Sequence, residues 1–203
     1  ASSLFNFPLP PNVRLYSKDK TDSKPKDYLT AEELEQLIAT PEPNFTLRMG
    51  FLFGCFTGIA FREWISAKYQ DIEQDNRGKD YLKIRRGKTT NYNKVPLSKS
   101  ALKIVDQMRD VNGKSSTQSI FKGLKYSGYT NQLLQRWVDR AGLQKKITPH
   151  CCRNTYSAIH YDKYKDVGAL MKVLDHKDIS TTQRYLAKFL RNIDVDIDRL
   201  PEF

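Results

Sequence analysis

One apolar run in the first third of the chain constrains the fold more than any other feature. It extends over residues 45–59, and its large apolar side chains are Leu47, Met49, Leu52, Phe53 and Phe56. A segment this apolar predicts a helix that is buried in a protein core. The chain contains no window of about 18 consecutive apolar residues, so the sequence predicts no segment that spans a membrane.

Start and stop signals mark the other helices. Thr30 and Glu33 have the spacing of a capping box, which predicts that the first helix begins at Thr30. After a break near Gly58, residues 61–69 are expected to be helical again. Further helical patterns predict helices at residues 100–108, 129–141 and 167–174 and from about residue 180 onwards.

The middle of the chain changes to the period of a strand. Residues 81–85 and 94–97 alternate between apolar and polar side chains, which predicts two strands. Residues 87–93 between them have turn chemistry, so the two strands are expected to form a β-hairpin. A third strand is predicted near residues 71–73. The predicted fold class is mostly α (α+β), with one small antiparallel β-sheet.

The charge balance favours an anionic partner. The 203 residues carry a formal net charge of +11, and a bias of this size is most simply explained by nucleic acid. A generic basic surface is the alternative explanation. The charge alone therefore indicates a class of partner, and a site has to be argued from particular residues.

The N-terminal stretch and the cysteines bear on domain organisation and compartment. Residues 1–27 are punctuated by prolines and are expected to form a linker. They show no signal-peptide pattern, and the missing initiator Met predicts a fragment or processed chain from which an N-terminal DNA-binding domain is absent. Cys55 is expected in the core, and the adjacent Cys151 and Cys152 make neither a disulfide framework nor a zinc site. A reducing cytosol follows from this cysteine usage.

Five residues have side chains that phosphodiester chemistry can use. Lys and His donate protons, Arg binds phosphate oxygens in pairs, and a phenol can become a covalent nucleophile. In chain order they are Lys88, His150, Arg153, His176 and Tyr185. Each of them alone has an ordinary structural explanation as a solvated charge, a capping group or a packed ring.

His150 and Arg153 form the pair with the clearest local geometry. Thr148 and Pro149 predict an N-cap followed by proline at the first helical position. Residues three apart in a helix share a face, so His150 and Arg153 could address one phosphate at the positive end of that helix.

Four segments, taken in order, resemble the motifs of the tyrosine recombinase (phage integrase) family. Residues 57–63 resemble the first-arginine motif, and residues 85–97 resemble the lysine hairpin. Residues 148–155 are similar to the His-x-x-Arg box, and residues 174–185 to the closing box with its nucleophile last. The resemblance covers roughly residues 28–190 and makes that range the expected catalytic domain.

The resemblance implies a role for each candidate. Tyr185 would attack a DNA phosphorus and form a 3′-phosphotyrosyl link, and Arg153 would bind the non-bridging oxygens. Lys88 would protonate the leaving 5′-oxygen. His150 and His176 would hydrogen-bond the phosphate, and His150 would help to deprotonate the phenol. No metal and no other cofactor is implied, because the bond energy is stored in the phosphotyrosine.

The chain departs from the family pattern at its first arginine, where it has Ala60. Arg62 would project from nearly the opposite face of a helix, whereas Arg86 lies two residues before Lys88 on one strand face and is the better replacement. Glu63 keeps the acidic position of the motif and is expected to orient its neighbours. Two further departures are Asp175 in place of a glycine and Asn154 in place of a histidine.

The resemblance also implies partners and a location. Double-stranded DNA, a homo-tetramer on DNA and accessory DNA-bending or directionality factors are expected, with no membrane, in the cytoplasm of a bacterium in association with the nucleoid. Residues 191–203 alternate Ile193, Val195 and Ile197 with three Asp residues and are expected to be a docking tail. Two alternatives to an integrase of a mobile element are a catalytically impaired DNA-binding protein on the same fold and a type IB topoisomerase.

Overall fold

The computed structural model describes residues 27–85, 92–113 and 115–190, without the side chains of residues 184, 185 and 187–190. It confirms a mostly helical fold with one small sheet. The elements are α1 (Ala31–Ala39), α2 (Phe45–Thr57), α3 (Phe61–Ser66), a 3-10 turn (Tyr69–Asp71), β1 (Ile72–Gln74), β2 (Asp80–Arg85), β3 (Tyr92–Pro96), α4 (Lys99–Asn112), α5 (Gly128–Arg140), α6 (Cys151–Tyr164), α7 (Val167–Leu174) and α8 (Ile179–Leu190).

Helix α1 begins at the predicted capping box. The Thr30 hydroxyl accepts a hydrogen bond from the Glu33 backbone at 3.2 Å, and the Glu33 carboxylate accepts one from the Thr30 backbone at 2.8 Å. Leu29, just before the box, is fully buried, and its backbone N–H donates to the Thr155 hydroxyl of α6 at 3.0 Å. The segment that precedes α1 is thereby fixed to α6.

Helix α2 is the buried helix that the apolar run predicts. Phe51 and Phe53 are fully buried, and they make ring contacts with Trp137 of α5 and with Phe121 respectively. The helix packs against α4 and α6 and ends at Gly58, which has a left-handed backbone with φ of 71°. Gly58 is the predicted break, because a glycine adopts this conformation without steric cost.

The sheet has the order β1-β2-β3 with both pairs antiparallel. Leu82 of β2 pairs with Ile72 on one side and with Val95 on the other. Leu82, Ile84 and Val95 are buried, so one face of the sheet covers the core. The predicted hairpin and the third strand are confirmed, whereas residues 86–91 of the turn lie outside the described residues.

Two expectations about helices are wrong. Residues 61–69 are not one helix, because α3 stops at Ser66 and only a 3-10 turn follows at Tyr69. The helix predicted to start at Pro149 starts at Cys151. The Cys151 backbone N–H donates to the Thr148 carbonyl at 2.8 Å, which closes a turn over Pro149 and His150 instead of a first helical turn.

Buried side chains form a main core and a smaller cluster. The main core includes α2, the buried face of the sheet and the inner faces of α4 and α5. The smaller cluster joins Leu170 and Leu174 of α7 to Leu186 of α8. None of the helices in the described part of the chain combines the length and apolarity that a membrane span needs.

Candidate active site

The Arg153 side chain is held between two carbonyl groups that are far apart in the sequence. Its Nη1 donates to the carbonyl of Gly58 at 3.1 Å, and its Nη2 donates to the carbonyl of Leu174 at 2.6 Å. These bonds use two of the five N–H groups of the guanidinium. Among the described residues, no carboxylate forms an ion pair with Arg153. The site therefore contains a half-buried, fixed positive charge that no carboxylate in the described ranges neutralises.

His176 lies beside Arg153 and is oriented from its other side by Thr182. The Nε2 atom of His176 is 3.5 Å from Nη2 of Arg153, and its Nδ1 is 2.9 Å from the hydroxyl of Thr182. A guanidinium can only donate hydrogen bonds, so Nε2 of the neutral ring is the acceptor and Nδ1 carries the hydrogen. Thr182 is fully buried. Thr182 was not among the candidates predicted from the sequence, although it lies in the closing box two residues after Ser180.

His150 occupies the N-cap position of α6, three residues before Arg153. Its backbone is helical, with φ of −74° and ψ of −20°, and it is exposed. The predicted order of the two residues at the start of one helix is therefore present, although the helix begins later than predicted. The N-terminal end of α6 adds a partial positive charge at this point.

Close packing of α6 on α2 sets the position of Arg153. A methyl group added at Gly54 of α2 would lie 2.6 Å from Sγ of Cys152, and one at Gly58 would lie 2.6 Å from the ring of Tyr156. Cys152 is fully buried, and burial raises the pKa of its thiol to about 12. All three cysteines are free and buried, as the core prediction for Cys55 requires. The Cys152 thiol is therefore a packing group next to the arginine.

The residues around the missing first arginine have clear structural positions. Ala60 is the N-cap of α3, and its backbone N–H donates to the Glu63 carboxylate at 2.6 Å. Glu63 thus supports the start of α3, which agrees with an orienting role. Arg62 is exposed and lies on the second residue of that helix. The structure does not bring Arg62 into contact with Arg153 or His176 by any described hydrogen bond.

Asp175 occupies a position with backbone strain. Its φ of 54° and ψ of 43° are left-handed, and only one other non-glycine residue among those described, Lys165, has a positive φ. This conformation explains the glycine of the family pattern, because aspartate is one of the few other residues that tolerate it. The carboxylate of Asp175 also accepts a hydrogen bond from the Asn93 side chain of β3. That contact joins the hairpin to the connection between α7 and α8, which carries His176.

The remaining candidates are described in part or not at all. Tyr185 lies in α8 one helical turn beyond Thr182, and its side chain is outside the description. Lys88 and Arg86 lie outside the described residues. Within the described ranges, no group of three His, Cys, Asp or Glu residues is arranged to hold a metal ion. The described part of the site is thus His150, Arg153, His176 and their supports.

A mostly helical domain with one small antiparallel sheet, in which Arg153 lies beside His176, has the architecture of a tyrosine recombinase catalytic domain. The model of the phage integrase family matches residues 27–191, and the chain belongs to that family.

Known proteins with similar sequences and folds support the same assignment. The chain is 28% identical to tyrosine recombinase XerD of Staphylococcus haemolyticus (strain JCSC1435) over 188 residues, which is 84% of this chain and 61% of that protein. The crystal structure of XerA recombinase matches with a TM-score of 0.66 and 20% identity over 92% of this chain and 68% of that one. A lambda integrase (75–356) dimer bound to a COC′ core site matches with a TM-score of 0.67 and 19% identity, over 86% and 64% of the two chains. The chain thus spans about three fifths of its curated relative.

Proposed function

We propose that this chain is the catalytic domain of a site-specific DNA recombinase, the integrase of a mobile element, which cuts and rejoins DNA strands through a phosphotyrosine at Tyr185. The observation that carries this proposal is the Arg153 guanidinium, which two backbone carbonyls hold at the start of α6 without a neutralising carboxylate among the described residues. A fixed and uncompensated charge of this kind stabilises an anion whose charge increases in the transition state.

Arg153 and the two histidines bind the phosphate that reacts. The guanidinium donates to the non-bridging oxygens. His176 donates to the same phosphate from Nε2 in its other neutral tautomer, in which Nδ1 accepts a hydrogen bond from the Thr182 hydroxyl. His150 hydrogen-bonds the same phosphate from the N-cap of α6 and assists the removal of the phenol proton. Because these groups are placed before DNA binds, little reorganisation is needed when the transition state forms.

Tyr185 and Lys88 carry out the bond exchange. The phenol oxygen of Tyr185 attacks phosphorus and loses its proton, a 3′-phosphotyrosyl bond forms, and the bond to the 5′-oxygen breaks. Lys88 gives a proton to that departing oxygen, so the products are a covalent enzyme–DNA adduct and a free 5′-hydroxyl. The reverse steps with a new 5′-hydroxyl rejoin the strand without a nucleotide or a metal ion.

The partner of this site is double-stranded DNA, and the formal charge of +11 supports it. The proposal extends to a homo-tetramer on DNA that works with accessory DNA-bending or directionality factors in a bacterial nucleoid. Residues 28–190 form the catalytic domain in this scheme, and residues 1–27 link it to a DNA-binding domain.

Covalent trapping on a nicked suicide substrate tests the proposal. The unaltered chain should form an adduct that survives denaturing electrophoresis, and Tyr185→Phe should abolish it while DNA affinity stays unchanged, because phosphate contacts by Lys and Arg dominate affinity. Tyr161→Phe is a matched control that should keep the adduct. An adduct in Tyr185→Phe would remove this residue from the mechanism.

Ala60 favours one other function, that of a DNA-binding protein without cleavage activity. A lost phosphate donor costs about two to three powers of ten in rate. A chain that binds DNA but forms no adduct with or without Tyr185 would support this second function.

Arg86 is the proposed replacement for the missing arginine. Arg86→Ala should reduce adduct formation far more than DNA affinity, and Ala60→Arg in the same chain should restore part of it. Equal losses in cleavage and in equilibrium binding would show that Arg86 is only a phosphate anchor.

The tail at residues 191–203 is proposed to dock on a neighbouring copy in the complex on DNA. Its three Asp residues disfavour contact with DNA, whereas its apolar residues favour a protein surface. Deletion of residues 192–203 should preserve single-site binding and weaken higher-order complexes, as measured by light scattering with DNA. Unchanged assembly and strand exchange would contradict this role.

A further inference from the structure

A groove bordered by α6 has no part in the chemistry proposed for Arg153, His176 and Tyr185. It has a volume of about 1070 Å³ and lies between α1, α6, α7 and the connection from β3 to α4. Leu34 and Ile38 of α1 line it together with Phe56 of α2 and Ile159 of α6. We refer to this surface as the α1–α6 groove.

One wall of the α1–α6 groove is a ladder of three rings on α6. Tyr156, His160 and Tyr164 follow one another at intervals of one helical turn. The ring centroids of Tyr156 and His160 are 5.5 Å apart, and those of His160 and Tyr164 are 4.8 Å apart. The outermost ring, that of Tyr164, is 57% exposed. The wall is thus a continuous aromatic surface that solvent can reach.

The ladder also contains a polar atom that lacks a partner. Nδ1 of His160 is buried and has no hydrogen-bond partner within the described part of the chain. Buried polar atoms of native proteins normally have such a partner.

Aromatic walls of this kind bind proline-rich peptides in the polyproline II conformation. Such peptides lose little entropy on binding, and they place proline and apolar side chains between aromatic rings. This chain contains such a sequence at residues 4–11, which are Leu-Phe-Asn-Phe-Pro-Leu-Pro-Pro and carry no charge. The groove is lined by two acidic side chains, Glu35 and Asp166, and by two basic ones, Lys79 and Lys163. Its charges balance, which suits an uncharged occupant.

Residues 4–11 are close enough along the chain to reach the α1–α6 groove. Leu29 is anchored to α6, and Ala31 at the start of α1 already lines the groove. Fifteen residues lie between Pro11 and Asp27, and at roughly 3.3 Å per residue they can span about 50 Å. A short tether gives an effective concentration in the millimolar range.

We propose that residues 4–11 of this chain dock in the α1–α6 groove of the same molecule, against the Tyr156–His160–Tyr164 ladder. The docked segment turns the connection that precedes the catalytic domain into a fixed strap along α6. The tail at residues 191–203 is a poorer occupant, because its three Asp residues find no excess of positive charge there.

The strap would contact the helix that positions Arg153. The ring of Tyr156 lies against Gly58, and the Gly58 carbonyl accepts a hydrogen bond from Arg153. A segment docked against Tyr156 would therefore contact a residue that itself packs against Gly58, whose carbonyl holds Arg153. Docking does not depend on DNA or on the proposed chemistry, so it is tested without either.

Amide hydrogen exchange on the 203-residue chain without DNA tests the proposal. With an isolated affinity on the order of 0.1 mM and a millimolar effective concentration, the segment is docked about nine tenths of the time. The amides of residues 4–9 should then exchange about tenfold faster in Tyr164→Asp than in the unaltered chain. Tyr126→Asp is the matched control, since Tyr126 is a 71% exposed tyrosine that does not line the groove.

A second measurement perturbs the segment instead of the groove. In the chain labelled with 3-fluorotyrosine, the ¹⁹F resonance of Tyr164, assigned through Tyr164→Phe, should shift in Phe7→Asp and stay unchanged in Ser2→Asp. Phe7→Asp leaves every residue of the described fold unchanged, so it tests docking independently of whether Tyr164→Asp folds.

Three outcomes would overturn the proposal. Residues 4–9 could exchange at the rate of free peptide in the unaltered chain. The Tyr164 resonance could respond to deletion of residues 192–203 and not to Phe7→Asp, which would make the tail the occupant. Protection that rises with protein concentration would assign the groove to a second copy of the chain.

Discussion

The contact between Gly54 and Cys152 predicts a large effect for a very small substitution. In Gly54→Ala the new methyl group would lie 2.6 Å from Sγ of Cys152, 3.0 Å from its Cβ and 3.1 Å from Nε1 of Trp64. Ordinary contacts between such atoms are about 3.5–4.0 Å, so α2 and α6 must separate. Overpacking of this kind costs about 1–3 kcal/mol, whereas alanine gains about 1 kcal/mol over glycine inside a helix. The net loss in the free energy of unfolding is expected to be up to about 2 kcal/mol.

The chain offers both a control and a partial rescue for this substitution. Gly128 at the start of α5 has no atom within 4 Å of an added methyl group, so Gly128→Ala should not destabilise the protein. Cys152→Ala removes the closest atom, and it should cost about 1 kcal/mol alone because it leaves a cavity. In the double variant the new methyl group occupies part of that cavity. The two substitutions should then be coupled by about 1–2 kcal/mol.

Urea denaturation of the four variants measures this coupling, with the slope of the transition as a check on two-state behaviour. Adduct formation on a suicide substrate should fall in Gly54→Ala as well, because α6 carries Arg153 away from the Gly58 carbonyl. If Gly54→Ala were as stable as Gly128→Ala and showed no coupling to Cys152→Ala, the close approach of α2 and α6 would be refuted.

Three further predictions concern the surroundings of His176 and the ladder on α6. Thr182→Val should cost about 1–2 kcal/mol because the Nδ1 atom of His176 loses its partner, and it should reduce adduct formation, whereas Thr182→Ser retains both. Burial lowers the pKa of His160 from 6.5, so below pH 6.5 the unfolded state binds protons more readily than the folded state. The free energy of unfolding should therefore fall as the pH is lowered through this range. His160→Gln should flatten this part of a profile of the free energy of unfolding against pH. Asp175→Gly should leave the free energy of unfolding nearly unchanged, because relief of about 1 kcal/mol of left-handed strain offsets the lost bond to Asn93, whereas Asp175→Ala should lower it by about 1–2 kcal/mol in the same urea assay.

Local signals predicted those parts of the fold that local interactions determine. The capping box of Thr30 and Glu33 needs only four residues, and its two hydrogen bonds are present. The apolar run over α2 and the alternation in β2 report burial directly, so they too were sufficient. The glycine break at Gly58 follows from the backbone conformation that this residue alone adopts freely.

Long-range contacts decided where local signals failed. Thr148 and Pro149 have the composition of a helix start, yet the Cys151 N–H bonds to Thr148 and the turn takes precedence. The two carbonyls that hold Arg153 lie 95 and 21 residues away in the sequence. No sequence pattern distinguishes the buried Thr182 from Ser180 and Thr181, which also carry hydroxyl groups. The motifs could therefore be recognised in the sequence, but the contacts that hold Arg153 could not be predicted from it.

The separation of the two carbonyls that hold Arg153 has a consequence for the time at which the site forms during synthesis. Contacts between distant segments form late, because the loop between them must first close. The Gly58 carbonyl emerges from the ribosome early, whereas Arg153 follows 95 residues later and Leu174 a further 21. The helix that carries Tyr185 follows Leu174, so a nascent chain that still lacks α8 has neither the proposed nucleophile nor an anchored His176. Under the proposed function, a ribosome-bound intermediate binds DNA by its charge but does not cut it, and strand cleavage is restricted to chains that have completed this helix.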